Sequence, residues 1–333
     1  MSKKILSISV AAYNVSNTIE QCLDSFVESQ LLDLFEVLVV NDGSQDNTVE
    51  IISRYVKKYP GTIYLIDKEN GGHGSTINAA IKKASGKYFK VVDGDDWVDT
   101  EAFDRFLIFL STTDVDLVLN DYQEVYPSKK NQVDVVRQYA LDKIYSFDDM
   151  DPGYYLPMHS TTIKLSKYKA VGEQISEHRF YVDTEYVAFV AMATDTIVFN
   201  SECVYQYRLG EVGQSMSDEG LYKHIEDLIY VVERLSSFYT EKIEKENMSS
   251  TRKKYILSII DTRYNMIFGC FVGFKKNNKD WMLEKFDREM LTRYPHITNS
   301  VNLYNKKCIR WNYHAMLPIL RFFKKTFLLC KKQ

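Results

Sequence analysis

A chain of 333 residues, 45% of them apolar, is long enough for one large domain or a domain with an appendage, and can bury a sizeable core. A formal net charge of -3 argues against a general nucleic-acid binder. The five cysteines are scattered, odd in number and form no CxxC pair, so they fit reduced thiols in a cytoplasmic protein and not a disulfide frame or a zinc site. No signal peptide is read, because the apolar stretch after Lys3-Lys4 is short and soon polar. The segment nearest to a membrane span, Ile256 to Phe274, is interrupted by Asp261 and Arg263.

The first third of the chain alternates strand-like and helix-like stretches. Ile5 to Val10 is a β-branched, apolar run, and a helix then starts at Asn17 or Thr18 and carries Ile19, Cys22, Leu23 and Phe26 at helical spacing. Phe35 to Val40 is almost continuously apolar, as a strand covered on both faces should be. Asp46-Asn47-Thr48 opens a helix through Val49, Ile52 and Tyr55 that Pro60-Gly61 closes, and Thr62 to Ile66 is a third strand. A helix from about Ser75 to Ala84, with Gly86 as its C-cap, leads into the strand before Asp93. Repeated β-α-β of this kind predicts a doubly wound, largely parallel sheet, in which ligands bind beyond the carboxyl ends of the strands. Asp116 to Asn120 reads as another strand. Residues 122 to 160 read as an irregular region with short strands, facing an acceptor. From Asp218 onward, Leu221, Ile225, Leu228, Val232 and Leu235 fall at helical spacing, so residues 218–333 form a helical C-terminal region after a first domain over 1–217.

The most informative residues are Asp93-Gly94-Asp95-Asp96, at the end of the run Tyr88 to Val92. Three carboxylates clustered where a strand should stop repel one another unless a cation lies among them. Gly94 lets the backbone come close, so that Asp93 and Asp95 can turn to one ion. Hard oxygen ligands at this spacing suit Mg²⁺ or Mn²⁺ with a phosphate completing the shell. The pattern reads as a metal–diphosphate site acting on a nucleotide-linked substrate. The alternative is a solvated acidic turn ahead of a helix that Asp99 would cap. In the loop after the second strand, Asn41-Asp42-Gly43-Ser44, Asp42 suits a reader of a uracil N–H, or serves ordinary turn chemistry.

Tyr13-Asn14, the Asn-Asp-Gly-Ser loop, Asn70-Gly71-Gly72 with Asn78, and Asp93-Gly94-Asp95-Asp96 occur in an order and spacing that resembles the family-2 glycosyltransferases of the bacterial surface-polysaccharide type. The resemblance is strong over residues 5 to about 100 and looser to about 217. It implies a GT-A fold, a Rossmann-like, mostly parallel α/β sheet with flanking helices. It also implies an inverting enzyme that moves a sugar from a nucleotide-sugar donor, by family habit a UDP-sugar, to a hydroxyl of a glycan or lipid-linked acceptor. Ala11, Tyr13 and Asp42 would hold the base, with Asn70 and Asn78 also at the donor. Asp93 would lie near the ribose, and Asp95 would ligate a Mn²⁺ or Mg²⁺ bridging the diphosphate.

Two positions depart from the family's pattern. The family's Ala-Arg-Asn triplet reads Thr76-Ile77-Asn78 here, and His73 stands in for the missing arginine's phosphate contact. The acidic pair that includes the family's catalytic base falls on Val182-Asp183, which leaves Asp183 as the base, with Glu185 the alternative; Asp183 also suits a helix N-cap. Tyr205-Gln206-Tyr207-Arg208 followed by Gln214 to Ser217 resembles a loop that folds over the diphosphate, with Arg208 supplying fixed charge and bidentate donors.

From Met290 to Gln333 there is no Asp or Glu, while Arg310, Arg321, Lys324, Lys325, Lys331 and Lys332 are among its cations. Residues 315–329 mix bulky apolar and cationic side chains, which suits a helix lying on an anionic membrane surface, or an ordinary amphipathic helix closing a core. The expected setting is cytoplasmic, peripheral at the inner face of the cell membrane. Two other functions compete: a catalytically silent nucleotide-binding partner subunit of another transferase, and a sugar-1-phosphate nucleotidyltransferase. The latter should carry a glycine-rich loop with Arg or Lys after the first strand, where Ala11-Ala12-Tyr13-Asn14 stands.

Overall fold

The computed structural model describes residues 4–135, 139–141, 143–151, 153–154, 156–210, 217–246, 248–273, 278–300, 309–310 and 312–330, without the side chains of 218, 299–300, 314 and 323–330. The chain divides into two compact units, Met1–Glu211 and Val212–Gln333.

The first unit is built on one sheet. Its strands are β1 (Leu6–Ala12), β2 (Phe35–Asp42), β3 (Ile63–Lys68), β4 (Tyr88–Asp93), β5 (Trp97–Val98), β6 (Leu117–Tyr126), β7 (Lys129–Val133), β8 (Ile144–Ser146), β9 (Thr161–Lys164) and β10 (Thr196–Arg208). The order across the sheet is β3-β2-β1-β4-β9-β6-β10-β5, with β7 beside β6 and β8 beside β10. Strands β3, β2, β1 and β4 are mutually parallel, whereas β9 runs antiparallel between β4 and β6. The pairing aligns Ala12 with Asn41, Ala11 with Asp93, and Asp42 with Lys68. The polar ends of four strands therefore lie at one level, beyond which a ligand can sit.

Flanking helices are α1 (Ile19–Val27), α2 (Thr48–Lys58), α3 (His73–Lys83), α4 (Thr100–Thr112), α5 (Leu165–Ala170) and α6 (Asp183–Ala193). The core on one face gathers Leu6, Ile8, Val10, Phe26, Phe35, Val92, Phe103 and Phe106, all fully or almost fully buried. Phe103 meets the edges of Phe26 and Phe35 at centroid distances of 5.4 and 5.0 Å, and each such buried ring contributes about 1.5–3 kcal/mol by burial alone. Asp99 caps α4 by accepting from the Ala102 N–H at 3.0 Å, as the sequence predicts.

Several local expectations are corrected. Helix α3 begins at His73, two residues earlier than its apolar spacing suggests, with Gly72 as N-cap at φ 79°. Gly86 is not the C-cap, a position taken by Ala84. Gly86 is required because a Cβ there would lie 2.6 Å from the Ser7 nitrogen. The stretch after Tyr122 is more regular than its mixed composition implies, since β6 continues to Tyr126 and turns back into β7. Val182, not Asp183, is the N-cap of α6.

The second unit is helical, with α7 (Asp218–Lys223), α8 (Ile225–Phe238), α9 (Ser250–Gly273), α10 (Asp280–Arg293), α11 (Pro295–Ser300) and α12 (Tyr313–Cys330). Ile225, Leu228, Val232 and Leu235 are all buried, so the helical periodicity of the sequence does mark the packed face of α8. At its centre the Asp287 carboxylate, fully buried, accepts from Arg310 Nε at 2.7 Å, from Arg310 Nη2 at 2.8 Å, from Tyr313 Oη at 2.5 Å and from the Tyr264 hydroxyl. Among the described residues no helix is long and apolar enough to cross a membrane.

Candidate active site

The site lies beyond the carboxyl ends of β1, β2 and β4. Two loops are first fastened to one another. Asn14, at φ 52°, accepts from the Gln45 N–H at 2.8 Å and donates its own N–H to Ser44 Oγ at 3.0 Å. Asp46 accepts from the Ser16 and Thr48 N–H groups, and these hydrogen bonds hold its carboxyl well below the usual range despite some desolvation. Tyr13 is thereby left on a rigid corner, half exposed.

Asp42 and Asn78 each have partners within the fold. Asp42 is buried, and its two oxygens accept from Lys68 Nζ (2.8 Å), Gly71 N (2.9 Å), Gly72 N (2.8 Å) and Ser75 Oγ (3.2 Å). It thus binds the N-terminus of α3 and fixes the glycine turn. Asn70 joins this arrangement by donating to the Asp42 carbonyl at 2.9 Å. Asn78 exchanges two hydrogen bonds with the backbone of Ile175, at 2.8 and 3.0 Å, and so tethers the segment leading to α6. Ile77, where the family pattern has a cation, is fully buried in the core.

His73, delivered by that turn, brings Nε2 to 3.0 Å from Asp93 Oδ1, a charge pair more than an aligned hydrogen bond. Burial disfavours the imidazolium, but the charges of Asp93, Asp183 and Asp95 outweigh it and raise the His73 pKa. Asp93 is conversely held low: burial opposes ionisation, and His73, His159 and the Tyr205 hydroxyl more than compensate. Ala11 closes the floor, its carbonyl accepting from the Gly94 N–H at 2.9 Å, and a Cβ on Gly94 would stand 2.6 Å from that oxygen.

The other two acids differ. Asp96 is buried, with Oδ2 accepting from Tyr205 Oη at 2.5 Å and Oδ1 from the Arg208 N–H at 2.7 Å. Desolvation and the charges of Asp93 and Asp95 push its pKa well up. Asp95 is exposed at the rim, yet the packed protein behind its carboxylate and the Asp93 charge raise it to about 6. Arg208 is braced there: Nε donates to the Asp95 carbonyl at 2.7 Å, Nη2 to Gln21 Oε1 at 2.6 Å, and the guanidinium lies 4.7 Å from the Trp97 ring centroid. Gln214, Ser215 and Met216, read from the sequence as part of a loop over the diphosphate, lie outside the described residues.

Asp183 begins α6, half-buried, and its charge is felt by His73, His159 and Tyr207. Glu185 is fully buried and accepts from the Ser176 N–H at 2.9 Å. Just before α6, His178 and Tyr181 adopt left-handed φ values of 55° and 63°, and the His178 N–H donates to the Gly71 carbonyl at 2.5 Å.

Two further residues, His159 and Lys90, emerge without a role read from the sequence, and Tyr205 takes a different one. His159, from the short turn Met158–Ser160, presents its ring so that ligand atoms of Asp93, Asp96 and His159 lie within 4.8 Å of one another. Asp95, which the sequence pairs with Asp93 as a metal ligand, stands outside this group. Tyr205 is fully buried, its hydroxyl accepting from the Asp93 N–H at 3.2 Å while donating to Asp96. Lys90, also fully buried, donates to the carbonyls of His159 (2.7 Å) and Thr161 (3.4 Å). Desolvation lowers its pKa to about 7. A lysine inside a strand buried on both faces was the one available signal. His159 sits in a stretch with no local pattern.

The donor set fits a divalent ion. Two carboxylates and an imidazole converge, and the crowded Asp95 and Asp96 carry raised pKa values that a cation would relieve.

A mostly parallel sheet with an acidic turn at the end of its fourth strand, flanking helices and a helical C-terminal region is the architecture of a GT-A glycosyltransferase. Residues 7–170 match the family model for Glycosyl transferase family 2, and the chain carries a domain of that family. It is similar to the uncharacterized glycosyltransferase EpsJ of Bacillus subtilis, 40% identical over 114 residues, which are 34% of this chain and 33% of EpsJ. The chain spans about a third or less of the curated relatives that it matches most strongly. Among solved structures, S. aureus TarS 1–349 in complex with UDP-GlcNAc aligns with a TM-score of 0.55 and 16% identity, over 89% of this chain and 91% of that one. The mannosyltransferase PcManGT of Pyrobaculum calidifontis, in complex with GDP-Man and Mn²⁺, aligns with a TM-score of 0.53 and 14% identity, over 97% and 87%.

Proposed function

We propose that this protein is an inverting glycosyltransferase that moves a sugar from a UDP-sugar to a hydroxyl of a glycan or lipid-linked acceptor in cell-surface polysaccharide synthesis. The observation that carries the reading is the meeting of Asp93, Asp96 and His159 at the carboxyl end of β4, with His73 Nε2 3.0 Å from Asp93 Oδ1 and the charge of Asp183 felt at His73. The TarS and PcManGT complexes, a UDP-sugar in one and Mn²⁺ in the other, support the donor class and the metal.

Asp93 and Asp95, the pair read from the sequence, would hold a Mn²⁺ or Mg²⁺ ion, with Asp96 and His159 close to Asp93 in the same cluster. When bound, such an ion supplies Lewis-acid stabilisation of charge developing on a diphosphate leaving group. The protein's own groups do the rest. Tyr13, half exposed, offers a ring face to a base beside Ala11. His73 and Arg208 add positive charge where a departing nucleotide becomes more negative. Asp183 accepts the proton of the acceptor hydroxyl, a role usually worth ~10²–10⁴ in rate. Its half-buried position supports it over Glu185, which is fully enclosed. With Asp183 as base and no covalent intermediate in this reading, transfer is a single in-line displacement with inversion at the anomeric carbon.

The test is donor hydrolysis and transfer by purified full-length protein with Mn²⁺ and a panel of nucleotide sugars. Release of UDP from one UDP-sugar, with product of inverted configuration, is the expected result. Donor binding without turnover under any condition would leave a silent nucleotide-binding subunit instead.

A further inference from the structure

The segment 175–182, which leads into α6, has no helix or strand of its own, yet it is tied down at several points. Asn78 holds the Ile175 backbone by two hydrogen bonds, Glu185 accepts from the Ser176 N–H, and the Gly71 carbonyl accepts from the His178 N–H. The start of α3 leaves just enough room for it. A Cβ on Gly74 would collide with the Ser176 carbonyl, and one on Gly72 would lie 3.3 Å from the His178 nitrogen. Under these ties His178 and Tyr181 take left-handed φ values of 55° and 63°, which neither residue type prefers. Such strain persists only where the surroundings over-determine it, and it concentrates in segments that present something. Phe180 is what this segment presents. It lies between the two strained residues, three positions before Asp183, and is 44% exposed, its ring tilted against that of Tyr181 at a centroid distance of 6.3 Å. A single exposed ring on an ordinary surface needs no explanation. An exposed ring on a strained, tethered segment beside the proposed base does.

We propose that Phe180 is a platform on which a pyranose ring of the acceptor stacks, so that the unit receiving the sugar is itself a cyclic sugar and not an open-chain polyol phosphate. The inference rests on the proposed transfer to a hydroxyl activated by Asp183, and it names the acceptor class for that reaction. Three residues span at most about 10 Å of chain, so a ring lying on Phe180 has its edge close to the Asp183 carboxylate. A pyranose suits both neighbours at once. Its flat face carries polarised C–H groups, which fit the negative face of an aromatic ring, and its rim carries hydroxyls, which donate to a carboxylate. An open-chain polyol has no flat face to stack, and rotation about each of its bonds moves its hydroxyls past the base. The tethers from Asn78, Glu185 and Gly71 give the platform a fixed position before the acceptor arrives, so little ordering has to accompany binding.

The test is saturation-transfer NMR on the full chain with UDP and Mg²⁺. The probes are the methyl pyranosides of glucose, galactose, mannose, N-acetylglucosamine and N-acetylgalactosamine, set against ribitol 5-phosphate and glycerol 3-phosphate. The expected result is saturation of the ring C–H protons of at least one pyranoside. It should be kept in Phe180→Trp and lost in Phe180→Ala and in Phe180→Leu, which keeps apolar bulk without a ring. In transfer assays with that pyranoside, Phe180→Ala should raise the acceptor KM about 3- to 10-fold and change kcat less. UDP affinity by calorimetry and the unfolding midpoint should stay near wild type in all three variants, because the ring is exposed. Saturation of a pyranoside that is equally strong in Phe180→Ala and Phe180→Leu overturns the inference. So does saturation of the polyol phosphates alone, or of no probe at all, in a chain that binds UDP. Failure of the wild type to bind UDP strikes the glycosyl-transfer reading itself.

Discussion

The Tyr205 hydroxyl donates a 2.5 Å hydrogen bond to Asp96 Oδ2, joining β10 to the acidic turn at the end of β4. The Tyr205 hydroxyl oxygen in turn accepts from the Asp93 N–H, so one phenol holds both ends of the turn. Tyr205→Phe keeps the ring and removes that clasp. A buried carboxylate left short of a donor costs about 1–3 kcal/mol. For a unit of this size that is a fall of about 2–4 °C in the unfolding midpoint per kcal/mol. Donor affinity should fall together with the midpoint in calorimetry, because the turn that presents Asp93 is loosened. An unchanged midpoint would mean that the turn is held by backbone contacts alone.

Asp183 and Glu185 lie two residues apart but in unlike surroundings. Asp183→Asn removes the proposed base without changing shape, so kcat should fall ~10²–10⁴-fold while the affinity for UDP-sugar stays near wild type. Glu185→Gln alters a fully buried carboxylate bonded to the Ser176 N–H, and should move the unfolding midpoint more than it moves kcat. Single-turnover rates with both variants decide the matter. The reverse ranking would transfer the base to Glu185.

These contrasts also mark what the sequence can convey. Strands β1 to β4 and the acidic turn were legible because apolar runs, turn residues and acids follow one another within a few positions. The helix α8 was legible because Leu228, Val232 and Leu235 keep helical spacing. The partners of Asp42 and Asn78 within the fold were not, since each lies far along the chain. Asp42 answers the backbone of Gly71 and Gly72, and Asn78 that of Ile175. His159 was hidden for the same reason: its meeting with Asp93 is made by β9 lying antiparallel beside β4, a pairing that no local pattern announces. Lys90 stood in plain view among apolar neighbours and carried a signal, the misfit of a charge in a buried strand.

That misfit has a pH signature. Lys90 has a native pKa of about 7, far below its unfolded value of about 10.4. Below about 7 both states hold the proton and the group adds no pH dependence. Between about 7 and 10.4 only the unfolded chain holds it, so the Lys90 contribution to stability rises with pH, by at most about 1.4 kcal/mol per unit. Other groups titrate in that window, so the quantity to measure is the difference between wild type and Lys90→Met. Urea unfolding from pH 6 to 10 should show the wild type gaining on the variant above pH 7, and a constant difference below it. A difference flat across the whole range would mean that Lys90 stays charged in the native state.

The acid-free tail is less uniformly cationic in the fold than in the sequence. Arg310 is bound to Asp287, and Arg321 donates to both Asp280 oxygens and to the Phe271 carbonyl. Leu317 is fully buried. Deleting residues 315–333 would therefore strip packing and two ion-pair hydrogen bonds from the second unit, and loss of lipid binding by that variant would prove little. Lys324→Gln with Lys325→Gln changes charge without shortening the chain. If α12 meets an anionic membrane surface, each lost lysine removes about 1 kcal/mol of attraction at low salt. Sedimentation with vesicles rich in anionic lipid should then weaken about tenfold or more for the double variant, and all binding should fade as salt rises. Equal binding of wild type and double variant to anionic and zwitterionic vesicles would assign the helix to the core of its own unit.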